Sequence, residues 1–245
     1  AKGSAGELYI QKPNGSFKKT NEKIFNQDKN FEDTNALFFD ADNDNDLDLY
    51  VSSGGYELSV NDKMLQDRLY INNGKGVFHK SNKLPSIVSN TKAITAGDFD
   101  NDGDLDLFVG TRVTPKKYPL SSASYLLENQ NGTFKNVTNL YLKDMSELRM
   151  VNDAIFSDFD ADGDVDLIVV GEWMEIVFYE NNDGVFSYKT IPSLEKSNGW
   201  QQNIKELDIN NDGLKDYFIG NWGHNNKFHP TTEKPLHIYA DYFDD

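Results

Sequence analysis

Four clusters of alternating aspartates, returning at nearly constant spacing, constrain this chain more than any other feature. Asp40, Asp42, Asp44, Asp46 and Asp48 form the first, Asp98, Asp100, Asp102, Asp104 and Asp106 the second, and Asp158, Asp160, Asp162, Asp164 and Asp166 the third; a thinner fourth holds Asp208, Asp212 and Asp216. Their first aspartates stand at 40, 98, 158 and 208, which is an internal repeat with spacings of 58, 60 and 50 residues. Each cluster follows an apolar lead-in, such as Ala36-Leu37-Phe38-Phe39 or Ile94-Thr95-Ala96-Gly97. Each is followed by a short β-branched or aromatic exit: 47–51, 105–109, 165–169 and 216–219. Such exits, soon ended by Gly, read as strands.

A second motif recurs behind the exits. Leu69-Tyr70-Ile71-Asn72-Asn73-Gly74 precedes Val77-Phe78, Leu126-Leu127-Glu128-Asn129 precedes Gly132-Thr133-Phe134, and Val177-Phe178-Tyr179-Glu180-Asn181 precedes Gly184-Val185-Phe186. An apolar run, an Asn/Gly turn and a second run built around Phe is a hairpin signature. Residues 8–17 repeat it without an acidic loop. About four strands per unit in a repeat of this length mark an all-β fold, a β-propeller of four-stranded blades. A β-sandwich with acidic turns leaves the recurring order of motifs unexplained. The expected divisions of this single propeller segment are a partial blade at 1–34, repeats at 35–92, 93–152 and 153–200, and an incomplete one at 201–245. Helix is expected only in connections such as 138–149. The segment 236–245 reads as the lead-in and first ligands of a fifth acidic loop. About four and a half blades are therefore expected, as an open arc.

Composition narrows the chemistry. With 24 Lys+Arg against 40 Asp+Glu the net charge is −16, and no basic run exists, so a nucleic-acid backbone would be repelled. No stretch approaches the ~18 consecutive apolar residues of a membrane-spanning helix. Zero cysteines exclude disulfides, thiol catalysis and Cys-ligated metals. The four histidines, His79, His224, His229 and His237, show no triad-like or zinc-like spacing, and neither a phosphate-cradling loop nor a nucleophile elbow is present. The expectation is a protein that is not an enzyme. Trp173, Trp200 and Trp222 read either as inter-blade core or as a sugar-stacking surface.

The loop chemistry points to a cation. The second loop reads Asp98-x-Asp100-x-Asp102-Gly103-x-x-Asp106 and the third Asp158-x-Asp160-x-Asp162-Gly163-x-x-Asp166. Carboxylates at positions 1, 3 and 5 converge only where the chain turns sharply, which Gly at position 6 allows. Two carboxylates ~5 Å apart repel by roughly 3 kcal/mol at an effective dielectric of ~20, so several together require a counter-ion. All-oxygen donors on a flexible loop favour Ca²⁺ over Zn²⁺ or Mg²⁺. The expected ligands are the side chains at 1, 3, 5 and 9 and the backbone carbonyl at 7, that is at Asp46, Asp104, Asp164 and Leu214. An EF-hand is excluded, because position 12 is Val109 or Val169 where that loop needs Glu. Asn45 stands at position 6 of the first loop and Asn210 at position 3 of the fourth, so weaker binding is expected there. Eighteen of the forty acids lie in these loops, so about four Ca²⁺ sites account for much of the acidity without a basic partner.

The segments Asp98-Phe99-Asp100-Asn101-Asp102-Gly103-Asp104-Leu105-Asp106-Leu107 and Asp158-Phe159-Asp160-Ala161-Asp162-Gly163-Asp164-Val165-Asp166-Leu167 resemble the FG-GAP/VCBS repeat, the calcium-binding propeller blade also found in integrin α-subunits. The spacing, with Ser146-Glu147-Leu148-Arg149-Met150 and Gly220-Asn221-Trp222-Gly223, resembles large cell-surface or secreted repeat proteins of Bacteroidetes-type bacteria, some of which carry an ASPIC/UnbV domain. That resemblance implies a ring of about seven blades, of which this chain supplies part. It implies an extracellular or outer-membrane-associated module that binds a protein or glycan and acts as a scaffold. Two other roles fit the same pattern: an accessory domain of a polysaccharide-degrading enzyme, and a structural subunit of a larger outer-membrane assembly.

Overall fold

The computed structural model describes residues 3–145, 148–223, 227–231 and 233–241, and every strand pairing in it is antiparallel. A hairpin of β1 (Leu8–Gln11) and β2 (Phe17–Thr20) comes first, joined through the short helix α1 (Glu22–Gln27) to three four-stranded units, the last of which shares one six-stranded sheet with the two strands that follow it. These are β3 (Glu32–Phe39), β4 (Asp48–Gly54), β5 (Arg68–Ile71) and β6 (His79–Lys80); β7 (Thr91–Gly97), β8 (Asp106–Thr111), β9 (Tyr125–Gln130) and β10 (Thr133–Asn136); and β11 (Met150–Ser157), β12 (Asp166–Met174), β13 (Val177–Asn182) and β14 (Val185–Lys189). Last come β15 (Gly199–Leu207) and β16 (Asp216–Asn221), a two-stranded pair that also touches β12 through Glu172↔Trp200 and Met174↔Gly199. Each four-stranded unit runs in chain order, so each is one propeller blade, and among the described residues no sheet closes into a ring. Helix is confined to connections, as the sequence predicts, with α2 (Thr138–Tyr141) inside 138–149. Residues 235–241 carry no strand, and the remainder of the proposed fifth loop, 242–245, lies outside the described residues.

The second strand of each blade explains why the exits are apolar at consecutive positions. In β8, Leu107 and Val109 join a cluster with Phe39, Tyr50 and Leu69 of the first blade, whereas Phe108 joins one with Val151, Phe156 and Leu167 of the third. In β12, Leu167 and Val169 face back to the second blade, and Ile168 and Val170 face forward to Ile204 of β15. Alternation at period two therefore buries both faces, each against a different neighbour. All seven of these β8 and β12 side chains are fully buried. At roughly 1.5–3 kcal/mol for each such side chain, these slabs between blades dominate the stability.

The first strand carries a feature the apolar pattern does not announce. Pairing between first and second strands slips at the same place in all four units, between Asp33 and Asn35, Thr91 and Ala93, Val151 and Asp153, and Gln201 and Asn203. A bulge there bends the strand and re-aims its side chains. Two of them reach the next blade: Thr34 Oγ1 donates to the Thr91 carbonyl at 2.6 Å, and Asn152 Nδ2 to the Gln201 carbonyl at 2.8 Å. Arg112 adds a bidentate bond to Glu172, at 2.8 and 3.0 Å, between the second and third blades.

Candidate metal centres

Each acidic loop joins the first strand of a blade to its second, and all four close in the same way. The aspartate at position 1 accepts two backbone N–H groups: Asp98 takes those of Asp102 at 3.1 Å and Gly103 at 3.0 Å, and Asp40, Asp158 and Asp208 repeat the arrangement. Such a turn needs left-handed backbone at positions 4 and 6. Asn43, Asn101, Ala161 and Asn211 occupy position 4 with φ from 58° to 61°, and Asn45 (67°), Gly103 (94°), Gly163 (101°) and Gly213 (86°) occupy position 6. Asn45 thus adopts the conformation that Gly takes elsewhere, as its short side chain permits.

The position-9 aspartate ties the loop to the sheet. Asp106 accepts from Phe99 N at 3.1 Å and from Asn129 N, on the third strand, at 2.7 Å. Asp48 and Asp166 do the same with Ala41 and Asn72, and with Phe159 and Asn181. The three asparagines also donate their side-chain Nδ2 to the position-8 carbonyls, of Leu47, Leu105 and Val165. The sequence pattern places these asparagines in hairpin turns. The turns of the second and third blades are instead Asn131-Gly132 and Asp183-Gly184, and the asparagines serve the acidic loops. Their fixed offset behind each cluster was the available signal. In the first blade, Asn72 and Asn73 side chains accept four backbone N–H groups between Asn73 and Val77, which delays β6 until after Phe78.

One carboxylate oxygen from each of positions 1, 3 and 9 lies within 4.8 Å of the other two in three loops: Asp40, Asp42 and Asp48; Asp98, Asp100 and Asp106; Asp158, Asp160 and Asp166. Asp44, Asp102 and Asp162, at position 5, stand outside these groups, each with one oxygen accepting the N–H two residues on. In the fourth loop Asn210 replaces the position-3 carboxylate, and Asp208, Asp212 and Asp216 form no such group. The position-7 side chains turn away. Asp104 accepts from Asn43 Nδ2 of the preceding loop, and Asp164 from Asn101 Nδ2 at 3.1 Å. These links fasten consecutive loops, and Ala161 and Leu214 supply no counterpart between the third and fourth.

The electrostatics of the three groups are those of carboxylates short of positive charge. Burial, helped by repulsion from neighbouring aspartates, raises Asp42, Asp100 and Asp160 above the usual range. Burial pushes the fully enclosed Asp106 up to about 7 and Asp166 to about 6 despite their backbone hydrogen bonds, and it raises Asp48 likewise. Asp42 Oδ1 and Asp46 Oδ1 are enclosed with no hydrogen-bond partner. Converging hard oxygens and an orphaned acceptor fit a divalent hard cation such as Ca²⁺.

The remaining candidates fall elsewhere. His79 lies on β6, His229 and His237 lie in non-strand segments, and His224 lies outside the described residues. The three tryptophans gather at the junction of the third blade and β15: Trp200 stands 5.4 Å from Trp173 and 5.6 Å from Trp222, edge to face. Trp222 is 57% exposed and Trp173 and Trp200 are half-buried, with Trp173 Nε1 donating to Tyr118 Oη at 2.9 Å, and none of the three joins a hydrophobic core cluster.

A family model described as FG-GAP-like repeat matches residues 58–109 and 158–237, just over half of the chain. Among solved structures, an Agrocybe aegerita lectin described as specifically recognising non-reducing terminal N-acetylglucosamine superposes with a TM-score of 0.50 at 20% identity. The likeness covers 76% of this chain and 46% of the lectin chain, and at that identity it shows a shared fold. No curated protein sequence matches the chain.

Proposed function

Because this chain belongs to the FG-GAP-like repeat family, we propose that it is a calcium-binding β-propeller module, extracellular or attached to the cell surface, that binds a protein or glycan and catalyses nothing. One observation carries the reading: the same three-carboxylate group is built in three successive blades, in phase with the fold. Ca²⁺ would be held by the aspartates at positions 1, 3, 5 and 9, joined by the position-7 carbonyl, and by a weaker fourth set at Asp208, Asn210, Asp212, Leu214 and Asp216. Bound there, it neutralises carboxylates that otherwise repel each other, and so fixes the rim of each blade. The chain's own part is to pre-arrange the oxygens: the position-1 aspartate closes the turn, and the position-9 aspartate anchors it to the third strand. Membership of the cell-surface repeat group of Bacteroidetes type fits the motif resemblance.

A glycan ligand is favoured by the partly exposed tryptophan cluster, in which Trp222 offers a flat ring suited to the apolar face of a sugar, and by the lectin likeness. Metal analysis after dialysis against Ca²⁺, together with melting temperature in Ca²⁺ and in excess chelator, tests the metal reading. Bound calcium and a melting temperature that falls on chelation and recovers on re-addition are expected; no calcium and an unchanged melt would overturn it. A glycan array probed with the parent chain and with Trp222→Ala tests the ligand reading, and equal signals from the two would remove the tryptophans from it.

A further inference from the structure

Resting on the calcium reading above, we propose that the first three acidic loops take up their cations cooperatively, each loop ordering the next through two asparagine bridges. The first bridge is buried. Asn129, 1% exposed, donates its side-chain Nδ2 to two different loops, to the Ala41 carbonyl of the first at 2.9 Å and to the Leu105 carbonyl of the second at 3.1 Å. Asn181 repeats this one blade on, reaching the Phe99 carbonyl of the second loop at 2.7 Å and the Val165 carbonyl of the third at 3.0 Å. The four carbonyls are placed alike. Ala41 and Phe99 stand at position 2, in the peptide that leads into Asp42 or Asp100; Leu105 and Val165 stand at position 8, in the peptide that leads into Asp106 or Asp166. One side chain therefore fixes a carboxylate-bearing peptide in each of two neighbouring groups.

The second bridge runs nearer the surface. Asn43, at position 4 of the first loop, donates Nδ2 to the Asp104 carboxylate at position 7 of the second, and Asn101 donates to Asp164 of the third at 3.1 Å. Position 7 is the residue whose backbone carbonyl would complete the cation's shell. The other oxygen of Asp104 accepts from Asn131 N at 2.7 Å, in a hairpin turn that presses on the first loop: a Cβ on Gly132 would stand 2.9 Å from the Asp42 Cβ.

A buried amide donor that loses its acceptor bears its full desolvation cost, so opening one loop leaves the shared asparagine half-paired and removes support from the loop beside it. A cation that closes one loop orders the next in advance, and coupling of this kind needs no large movement. Repulsion between neighbouring cations acts in the opposite sense and would make each binding event hinder the next. The sign of the coupling separates the two.

Amide exchange on peptides covering 40–48, 98–106 and 158–166, followed across a calcium titration, gives each loop its own midpoint. Asp160→Ala removes a carboxylate of the third group at an exposed position, and should raise the calcium midpoint at 98–106 by about fivefold or more. The shift should shrink when Asn101→Ala is added; Ala161 holds the same left-handed position in the third loop, so alanine preserves the turn. Asp100→Ala, in the middle group, should raise the midpoints of both neighbours. Asp183→Asn, which removes a charge beside the third loop but no expected ligand, should leave the midpoint at 98–106 in place. A midpoint at 98–106 that stays or falls with Asp160→Ala, one that moves as far with Asp183→Asn, or a shift of equal size with and without Asn101 would overturn the proposal and leave the calcium reading standing. Parent-chain loops whose exchange ignores calcium altogether would overturn both.

Discussion

Strands β8 and β16 occupy the same place in their blades, follow the same acidic loop and differ in one respect, a neighbour. Phe108 is fully buried and Phe218 is 64% exposed, although each stands two residues beyond a position-9 aspartate. Asp106 accepts hydrogen bonds from its own loop and from the third strand, and among the described residues Asp216 accepts from its loop alone. Yet the fourth loop closes as tightly as the second, with Asp208 holding Asp212 N at 3.1 Å and Gly213 N at 3.0 Å. Loop closure is thus a local property of about nine residues, whereas burial and the anchoring of the loop to the sheet belong to the pair of blades.

The comparison breaks most sharply at the two phenylalanines. Phe108→Ala should cost about 3–5 kcal/mol, the range for a core phenylalanine, read as a lower denaturant midpoint. Next comes calcium: at a concentration 100 times its dissociation constant, a cation that binds only the folded chain adds about 2.7 kcal/mol, and chelation removes it. Within that effect, Asp102→Ala or Asp162→Ala should erase more of the calcium-dependent rise in melting temperature than Asn210→Ala. Equal losses would make the fourth loop an equivalent site. Asn101→Ala, which cuts the link to Asp164, should cost about 0.5–1.5 kcal/mol, and Ala161→Ser, where no link exists, should cost less. A double-mutant cycle with Asp164→Ala isolates that bond, and zero coupling would deny it a role. The smallest effect belongs to Phe218→Ala in dilute solution, within about 0.5 kcal/mol, as for any exposed side chain away from a packed contact. A loss approaching that of Phe108→Ala would mean that the two strands share one environment after all.

The blade was legible because both signals behind it are short-range. Alternating aspartates with Gly or Asn at position 6 dictate a loop, and an exit such as Leu105-Asp106-Leu107-Phe108-Val109 dictates a strand buried on both faces. The loop-binding role of Asn72, Asn129 and Asn181 was hidden because an asparagine followed closely by glycine is also what a turn requires. The shared bulge was hidden for a different reason: an extra residue in a strand shifts pairing without disturbing composition, and Thr34, Lys92, Asn152 and Gln202 have no side-chain type in common. The half-buried position of Trp173 and Trp200 and the exposed one of Trp222 could not be read from their number or spacing, since a ring packed between blades and one on the rim look alike in sequence.

The middle strands β8 and β12, each lending alternate side chains to two cores, leave the molecule without a centre. Its cohesion resembles a row of books more than a closed fist: every volume leans on two others, and only those at the ends lean on one. A disturbance then passes to immediate neighbours and fades, as in nearest-neighbour arrays. Amide exchange should record the gradient, slowest in β8, faster in β4 and β12, and fastest in β16, which among the described residues pairs with β15 alone. Such a row lengthens or shortens by whole volumes without rewriting those that stay.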